Sequence, residues 1–154
     1  MKKAKRILAN YDARISKIEI KPKNKHTKVI LSSQMYHEET DKKEAVKLVF
    51  VDVAAIDFRM NYFESMMGIE AMGLYEITDR TFIERLVKEI FERRKEIYLL
   101  EEDYNYDETD EADMLNSFDV IHMFLEEKDS YHTYVQNVDA GVYIIVAKDL
   151  EIRR

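Results

Sequence analysis

Apolar and polar residues alternate over several stretches of this sequence, and this period of two restricts its fold more than any other feature. Ile18 and Ile20 stand between charged residues, and Tyr131 to Val138 and Val142 to Ala147 are rich in residues that strands favour. Successive side chains of a strand point to opposite faces, so the alternation predicts strands. The turns of two hairpins are predicted at Pro22-Lys23-Asn24-Lys25 and Asp139-Ala140-Gly141.

Ala45 to Phe63 is the most apolar part of the chain, and both of its faces are apolar around Phe50. Such a pattern predicts a strand that is covered on both sides. The alternation changes phase at Ala54-Ala55, so we expect a bulge or a bend there, or the meeting of two strands. Residues 2–9 are compatible with a short helical turn, and residues 37–44, which are polar throughout, predict a loop.

One helix is predicted, from about Asp79 to about Leu99. Apolar residues recur there at a spacing of three to four, opposite a charged face. Strands therefore come first, then a helix, then strands again. That order favours the α+β class: a mostly antiparallel sheet of about six to eight strands with one long amphipathic helix packed on it, in a single domain over residues 1–154.

The composition excludes several kinds of site. The chain has no cysteine, which excludes disulfides, thiol nucleophiles and cysteine-bound zinc. With three glycines and one proline, a glycine-rich phosphate loop is not expected. No serine stands in a nucleophile elbow, and none of the histidines has the spacing of a metal-binding motif: His26, His37, His122 and His132. We therefore predict no catalytic residue, no metal and no cofactor, and an enzyme is not favoured.

Charge is distributed unevenly along the chain, whose net charge is −7. Residues 1–28 carry ten lysines and arginines and two acids, whereas residues 101–154 carry four and fifteen. Such asymmetry predicts an interaction surface, unless the two ends neutralise each other. No apolar run approaches the roughly 20 residues of a membrane span, and no secretory signal is recognisable, so a cytoplasmic location is expected.

The segment after the predicted helix combines acids with two tyrosines. Its start, Asp103 to Asp107, matches a calcium-binding loop, but Glu108 stands where that loop needs glycine and Met114 where it needs glutamate. A solvated loop is therefore favoured over calcium. Carboxylates attract a basic partner over a distance, and tyrosines supply contact area. The residues predicted to contact a protein with a basic surface are Glu101, Asp103, Tyr104, Tyr106, Asp107, Glu108, Asp110 and Glu111.

Other ligands are weighed against this protein partner. Tyr11 is the only aromatic residue among the lysines of residues 2–28, and the pI is near 5.2, so nucleic acid is disfavoured. A homo-oligomer is left open. The alternative function is a small-molecule-binding or enzymatic domain with a cleft between sheet and helix, lined by Asp57, Arg59 or His122. A carboxylate at Asp57 that pairs with Arg59 is the simpler expectation.

Three stretches carry a resemblance to a known group: Tyr11 to Ile20, Lys47 to Asn61 and Ala147 to Ile152. In hydrophobic pattern they resemble the small YxiG-like bacterial proteins, over about half of the chain. Members of that group are thought to occur beside toxin genes. The resemblance therefore implies a non-enzymatic binding protein, an immunity-like inhibitor that covers a basic toxin surface, and it supplies no catalytic residue.

Overall fold

The structure is a computed structural model, and it describes residues 3–8, 10–24, 26–37, 39–60, 73–102, 130–138 and 141–154. The chain divides into two compact units, one formed by Met1–Thr78 with Asp129–Arg154 and the other by Asp79–Lys128. Each unit is considered by itself, so a single domain over residues 1–154 stays a prediction.

The first unit contains the strands and the second contains the helix. Within the described ranges the strands are β1 (Ala4–Leu8), β2 (Asn10–Lys21), β3 (Lys28–His37), β4 (Lys42–Met60), β5 (Leu74–Ile77), β6 (His132–Val138) and β7 (Gly141–Arg153). The helix α1 runs from Arg80 to Glu102. At its start the side chain of Asp79 accepts a hydrogen bond from the backbone N–H of Thr81 at 3.0 Å, which satisfies one of the free donors of the first turn.

The seven strands form one antiparallel sheet in the order β1-β5-β6-β7-β4-β3-β2. Its two edge strands, β1 and β2, are consecutive in the chain and are separated by Ala9 alone. Two peptide steps span at most about 7.6 Å, whereas a flat sheet would hold its first and seventh strands roughly 29 Å apart. The sheet therefore curls until its edges approach each other. In agreement, β2 contacts β6, which is not its neighbour in the sheet.

The core lies on the inner side of this curled sheet. Residues that stand opposite each other in antiparallel strands share a face, so the register defines rows of inner side chains. One row runs Ile20–Val29–Phe50–Leu150, and the next runs Ile18–Leu31–Leu48–Ile152. Phe50 lies against the rings of Tyr134 and Tyr143, with centroids 5.5 Å and 6.2 Å away. The Tyr143 hydroxyl donates a hydrogen bond to Oε1 of buried Gln136 at 2.6 Å.

The expected α+β class is wrong, because the fold is mostly β. The antiparallel sheet itself is confirmed, but among its described residues the sheet unit has no helix of seven or more residues, and α1 belongs to the other unit. A sheet that curls on itself covers its apolar face with its own strands and needs no helical layer for that purpose. Residues 4–8, expected to be helical, are β1. Of the expected loop 37–44, residues 39–41 form a turn, whereas His37 ends β3 and residues 42–44 begin β4. The bulge predicted near Ala54 is confirmed by a register shift between Val53 and Ala55.

Candidate functional site

Most of the sequence-predicted contact residues lie outside the part of the chain that the structure describes. Glu101 is the penultimate residue of α1. The others fall in the range 103–129, as does His122: Asp103, Tyr104, Tyr106, Asp107, Glu108, Asp110 and Glu111. Asp57 and Arg59, the other candidates for a cleft, pair with each other, since Arg59 Nε lies 3.3 Å from Asp57 Oδ2. Candidate sites among the described residues lie instead at the two edges of the sheet.

The β2 edge exposes two isoleucines, Ile18 and Ile20, which we call the β2 pair. Their exposed fractions are 39% and 54%, although they stand opposite fully buried Leu31 and Val29 and share their inner face. Because β2 is a terminal strand, it has a hydrogen-bonded neighbour on one side only within the described residues. Alternating sequences normally direct such residues into the core, so their exposure is the unexpected feature of this edge.

The outer side of the β2 edge is cationic. Lys17 Nζ lies 3.0 Å from Oε1 of Glu19. That hydrogen bond, together with the charges of Lys17, Lys21 and Lys47, lowers the pKa of Glu19 from its ordinary value, against the opposing effect of burial. Lys21 stands directly opposite Lys28 on β3, an arrangement of like charges that weakens strand pairing. Positive charge therefore exceeds negative charge along this part of the hairpin.

The connection between β2 and β3 is anchored on β4. Asp52 has φ of 52°, a backbone conformation that asparagine and aspartate tolerate better than most residues. Its Oδ1 lies 3.0 Å from Nδ1 of His26, and the N–H of Val53 donates to the carbonyl of Thr27 at 2.9 Å. These contacts fix the end of the hairpin that carries the β2 pair.

A second histidine–carboxylate pair joins β5 to β6. Nδ1 of His132 lies 2.6 Å from Oε1 of Glu76, and Tyr134 is the next inner residue on β6, with its ring 6.2 Å from the imidazole. Burial, followed by the charges of Glu76 and Asp149, raises the pKa of Tyr134 to about 12. Tyr134 is therefore protonated at neutral pH, and the His132–Glu76 pair links β5 to β6.

A pocket of about 580 Å³ opens at the other edge, lined by Ala4, Lys5, Arg6, Tyr75 and Thr78. We call it the β1 pocket. Gly73 allows its walls to approach, because a Cβ there would lie 2.8 Å from the Leu8 carbonyl oxygen and 3.4 Å from Arg6 Nε. Sequence reasoning missed this site because Lys5 and Arg6 belonged to the expected helical turn. The basic residues of the first segment were its only signal.

Comparison with known protein families, with curated proteins and with solved structures finds no match to this chain. Among the described residues no group of three or more histidines and carboxylates is placed to hold a metal ion. No helix in the same ranges has both the length and the apolar character needed to cross a membrane. The candidate sites therefore rest on their own geometry.

Proposed function

We propose that this chain is a non-enzymatic protein-binding module whose β2 edge receives an extended, acidic segment of a partner protein. The observation that carries the proposal is the exposure of the β2 pair on a terminal strand. A sheet edge offers backbone N–H and C=O groups to an added strand, and alternate side chains then decide which segment fits. Ile18 and Ile20 supply that apolar contact on the inner side.

Apolar burial favours such an addition. Full burial of an isoleucine side chain contributes about 1.5–3 kcal/mol, so covering the half-exposed β2 pair contributes on the order of 2 kcal/mol in total. Main-chain hydrogen bonds and charged contacts add to this amount. The sum suits a reversible complex.

The acidic character of the partner follows from the outer side of the hairpin. Lys21 and Lys28 repel each other across the two strands. Carboxylates on the outer side of an added strand would relieve that repulsion, and electrostatic attraction would also speed the encounter. The expected segment therefore alternates apolar residues with glutamate or aspartate.

Two labelled peptides of equal length test the proposal, one alternating valine with glutamate and one alternating valine with lysine. We expect the acidic peptide alone to raise fluorescence anisotropy, with an affinity that falls as salt rises. The double variant Ile18→Ser/Ile20→Ser should lose binding. Ile152→Ser is the matched control, because Ile152 is 36% exposed and ends the row that contains Ile18. Equal binding of both peptides, or equal loss in the control, would contradict the proposal.

The acidic residues between Glu101 and Glu111 are proposed as a second contact, which would bind a basic partner protein. The YxiG-like resemblance implies a toxin as that partner, and the expected location is the cytoplasm. This part rests on sequence alone. Charge reversal at Asp107, Glu108, Asp110 and Glu111 should slow association with a small basic probe protein and flatten its dependence on salt. Unchanged association rates would remove the segment from the proposal and leave the β2 edge unaffected.

A further inference from the structure

We infer that the β2 edge of one copy of this chain binds the final part of β7 of a second copy. We call that part, residues 149–153, the β7 extension. The inference rests on the proposed function, because it assigns a partner to the same edge. Peptide binding at β2 does not require self-association, however, so experiments can test the two separately.

Within the described residues the β7 extension has a neighbouring strand on one side only. Pairing of β7 with β6 reaches no further than Ala147, which stands opposite His132. Pairing of β7 with β4 continues to Arg153, which stands opposite Lys47. A strand segment with one neighbour offers backbone N–H and C=O groups to an added strand. The sheet can therefore add a strand of another copy at the β7 extension.

The β7 extension has the composition that is expected of the partner segment at the β2 edge. Acids alternate with apolar residues in the order Asp149, Leu150, Glu151, Ile152. Both acids are exposed, and Ile152 is 36% exposed on the same inner face as the β2 pair. A second copy therefore presents both the apolar contact and the carboxylates that suit the β2 edge.

The register between the two copies follows from charge. Antiparallel pairing places inner residues opposite inner residues. If the added β2 simply continued the rows of the sheet, Glu19 would stand opposite Glu151. Lys17 would likewise stand opposite Arg153. Like charges that stand directly opposite each other weaken pairing, so this register is disfavoured.

A shift of two residues keeps each side chain on its face and replaces the repulsions with attractions. Three pairs then stand opposite each other: Ile20 with Ile152, Lys21 with Glu151, and Glu19 with Arg153. Lys21 gains most, because it has no carboxylate within 4 Å among the described residues. A shift in the other direction would place Glu19 opposite Asp149 and is disfavoured.

The interface joins two different surfaces, so a pair of copies still has one β2 edge and one β7 extension available. Such heterologous contacts build rings when the rotation between copies closes, and open chains otherwise. The contact is small and its charges are exposed, so we expect association to be reversible and to weaken as salt rises. An acidic peptide that occupies the β2 edge should also dissociate the copies.

Two variants and their mixture test the inference by sedimentation velocity. The wild type should show a weight-average mass that rises with protein concentration, up to about 1 mM. Ile18→Ser/Ile20→Ser removes the β2 contact and Glu151→Lys/Ile152→Ser removes the β7 contact, so each variant alone should stay monomeric. Their equimolar mixture should form dimers and nothing larger, because one variant keeps its β7 extension and the other keeps its β2 edge.

Three results would overturn the inference. One is a monomeric wild type, and another is a monomeric mixture of two variants whose circular dichroism shows them folded. The third is dimers of Glu151→Lys/Ile152→Ser alone, which would indicate that β2 pairs with β2. This variant should still bind the acidic peptide, so a failure of the proposed function appears separately, as the absence of peptide binding.

An exchange of charges tests the register. Lys21→Glu and Glu151→Lys should each weaken self-association several-fold, and Lys21→Glu/Glu151→Lys should restore it, because the two positions face each other only between copies. Lys28→Glu/Glu151→Lys is the matched control, since Lys28 stands opposite Lys21 on β3 and outside the interface. Equal recovery in the control, or no recovery in the exchange, would contradict the pairing.

Discussion

Phe50 and Ile20 stand in the same row of the sheet with only Val29 between them, yet their surroundings differ completely. Phe50 is fully buried against two tyrosine rings, whereas Ile20 is 54% exposed at the terminal strand. The middle of the row holds the fold together. Its end contributes little to that task, so an apolar residue there is available for contact with another molecule.

The largest expected effect on stability concerns Phe50, the buried residue of this comparison. Phe50→Ala should lower the free energy of unfolding by about 3–5 kcal/mol, because it removes a large ring from the centre of the core and leaves a cavity. Urea unfolding measures the change. Ile20→Ala is the matched truncation and should cost less than about 1 kcal/mol. Similar losses for the two variants would show that Ile20 belongs to the core after all.

A second substitution extends the comparison to the β1 edge. Gly73→Ala places a Cβ 2.8 Å from the carbonyl oxygen of Leu8, so β1 and β5 must separate locally. We expect a loss of about 1–3 kcal/mol, measured in the same way. If the alanine variant were as stable as the wild type, β1 and β5 would be able to separate locally without a measurable loss of stability.

The buried hydroxyl of Tyr143 sharpens the contrast on the inner side. Tyr143→Phe leaves Gln136 Oε1 without this donor and should cost about 1–2 kcal/mol. Tyr75→Phe removes the hydroxyl of a partly buried residue at the β1 edge and should change stability by less than about 0.5 kcal/mol. The pair of variants isolates burial as the cause, and equal effects would argue against it.

Alkaline pH should destabilise the centre of the sheet. Burial raises the pKa of Tyr143, and burial with nearby acids raises that of Tyr134 to about 12, above the ordinary value of 10. Between about pH 10 and 12 the unfolded chain binds fewer protons than the folded chain. The stability that the two tyrosines contribute is therefore fully present below about pH 10 and is lost progressively above it. Tyr134→Phe should reduce the slope by at most about 1.4 kcal/mol per pH unit. An unchanged slope in urea titrations would exclude Tyr134 as a source.

The β2 pair is expected to contribute more to binding than to stability. Ile18→Ser/Ile20→Ser should lower the free energy of unfolding by on the order of 2 kcal/mol at most, because about half of each side chain is already exposed, while binding of the acidic peptide is lost. Stability and binding are thereby separated at one edge. A large loss of stability would place both isoleucines in the structural core and remove the basis of the proposed function.

Local alternation predicted much of the sheet correctly. Ile18 and Ile20 belong to a strand as expected, and so do residues 132–138 and 142–147, because burial on one face imposes a period of two. Residues 4–8 were assigned wrongly, since their charged residues lack that period and form a strand through pairing with distant partners such as Ile77. The α+β class failed for the same reason: curling of a sheet is a property of long-range register, which local pattern does not contain.

The candidate sites were less predictable than the fold. Acidic residues and tyrosines were visible as composition, so the segment from Glu101 to Glu111 could be proposed from the sequence. The exposure of Ile20 could not, because an alternating strand appears the same whether its inner face is covered or open. The β1 pocket required knowing that Arg6 stands opposite Tyr75, a pairing across nearly half of the chain.

The curled sheet, whose two edge strands are consecutive in the chain, also determines the order in which its strands can pair during folding. β2, β3 and β4 pair with their neighbours in the chain and can form hairpins while translation continues. β1 must wait, because its partner begins at Leu74 and that partner needs β6 on its other side. β1, which precedes the other six described strands in the chain, is therefore expected to be the last of them to be secured.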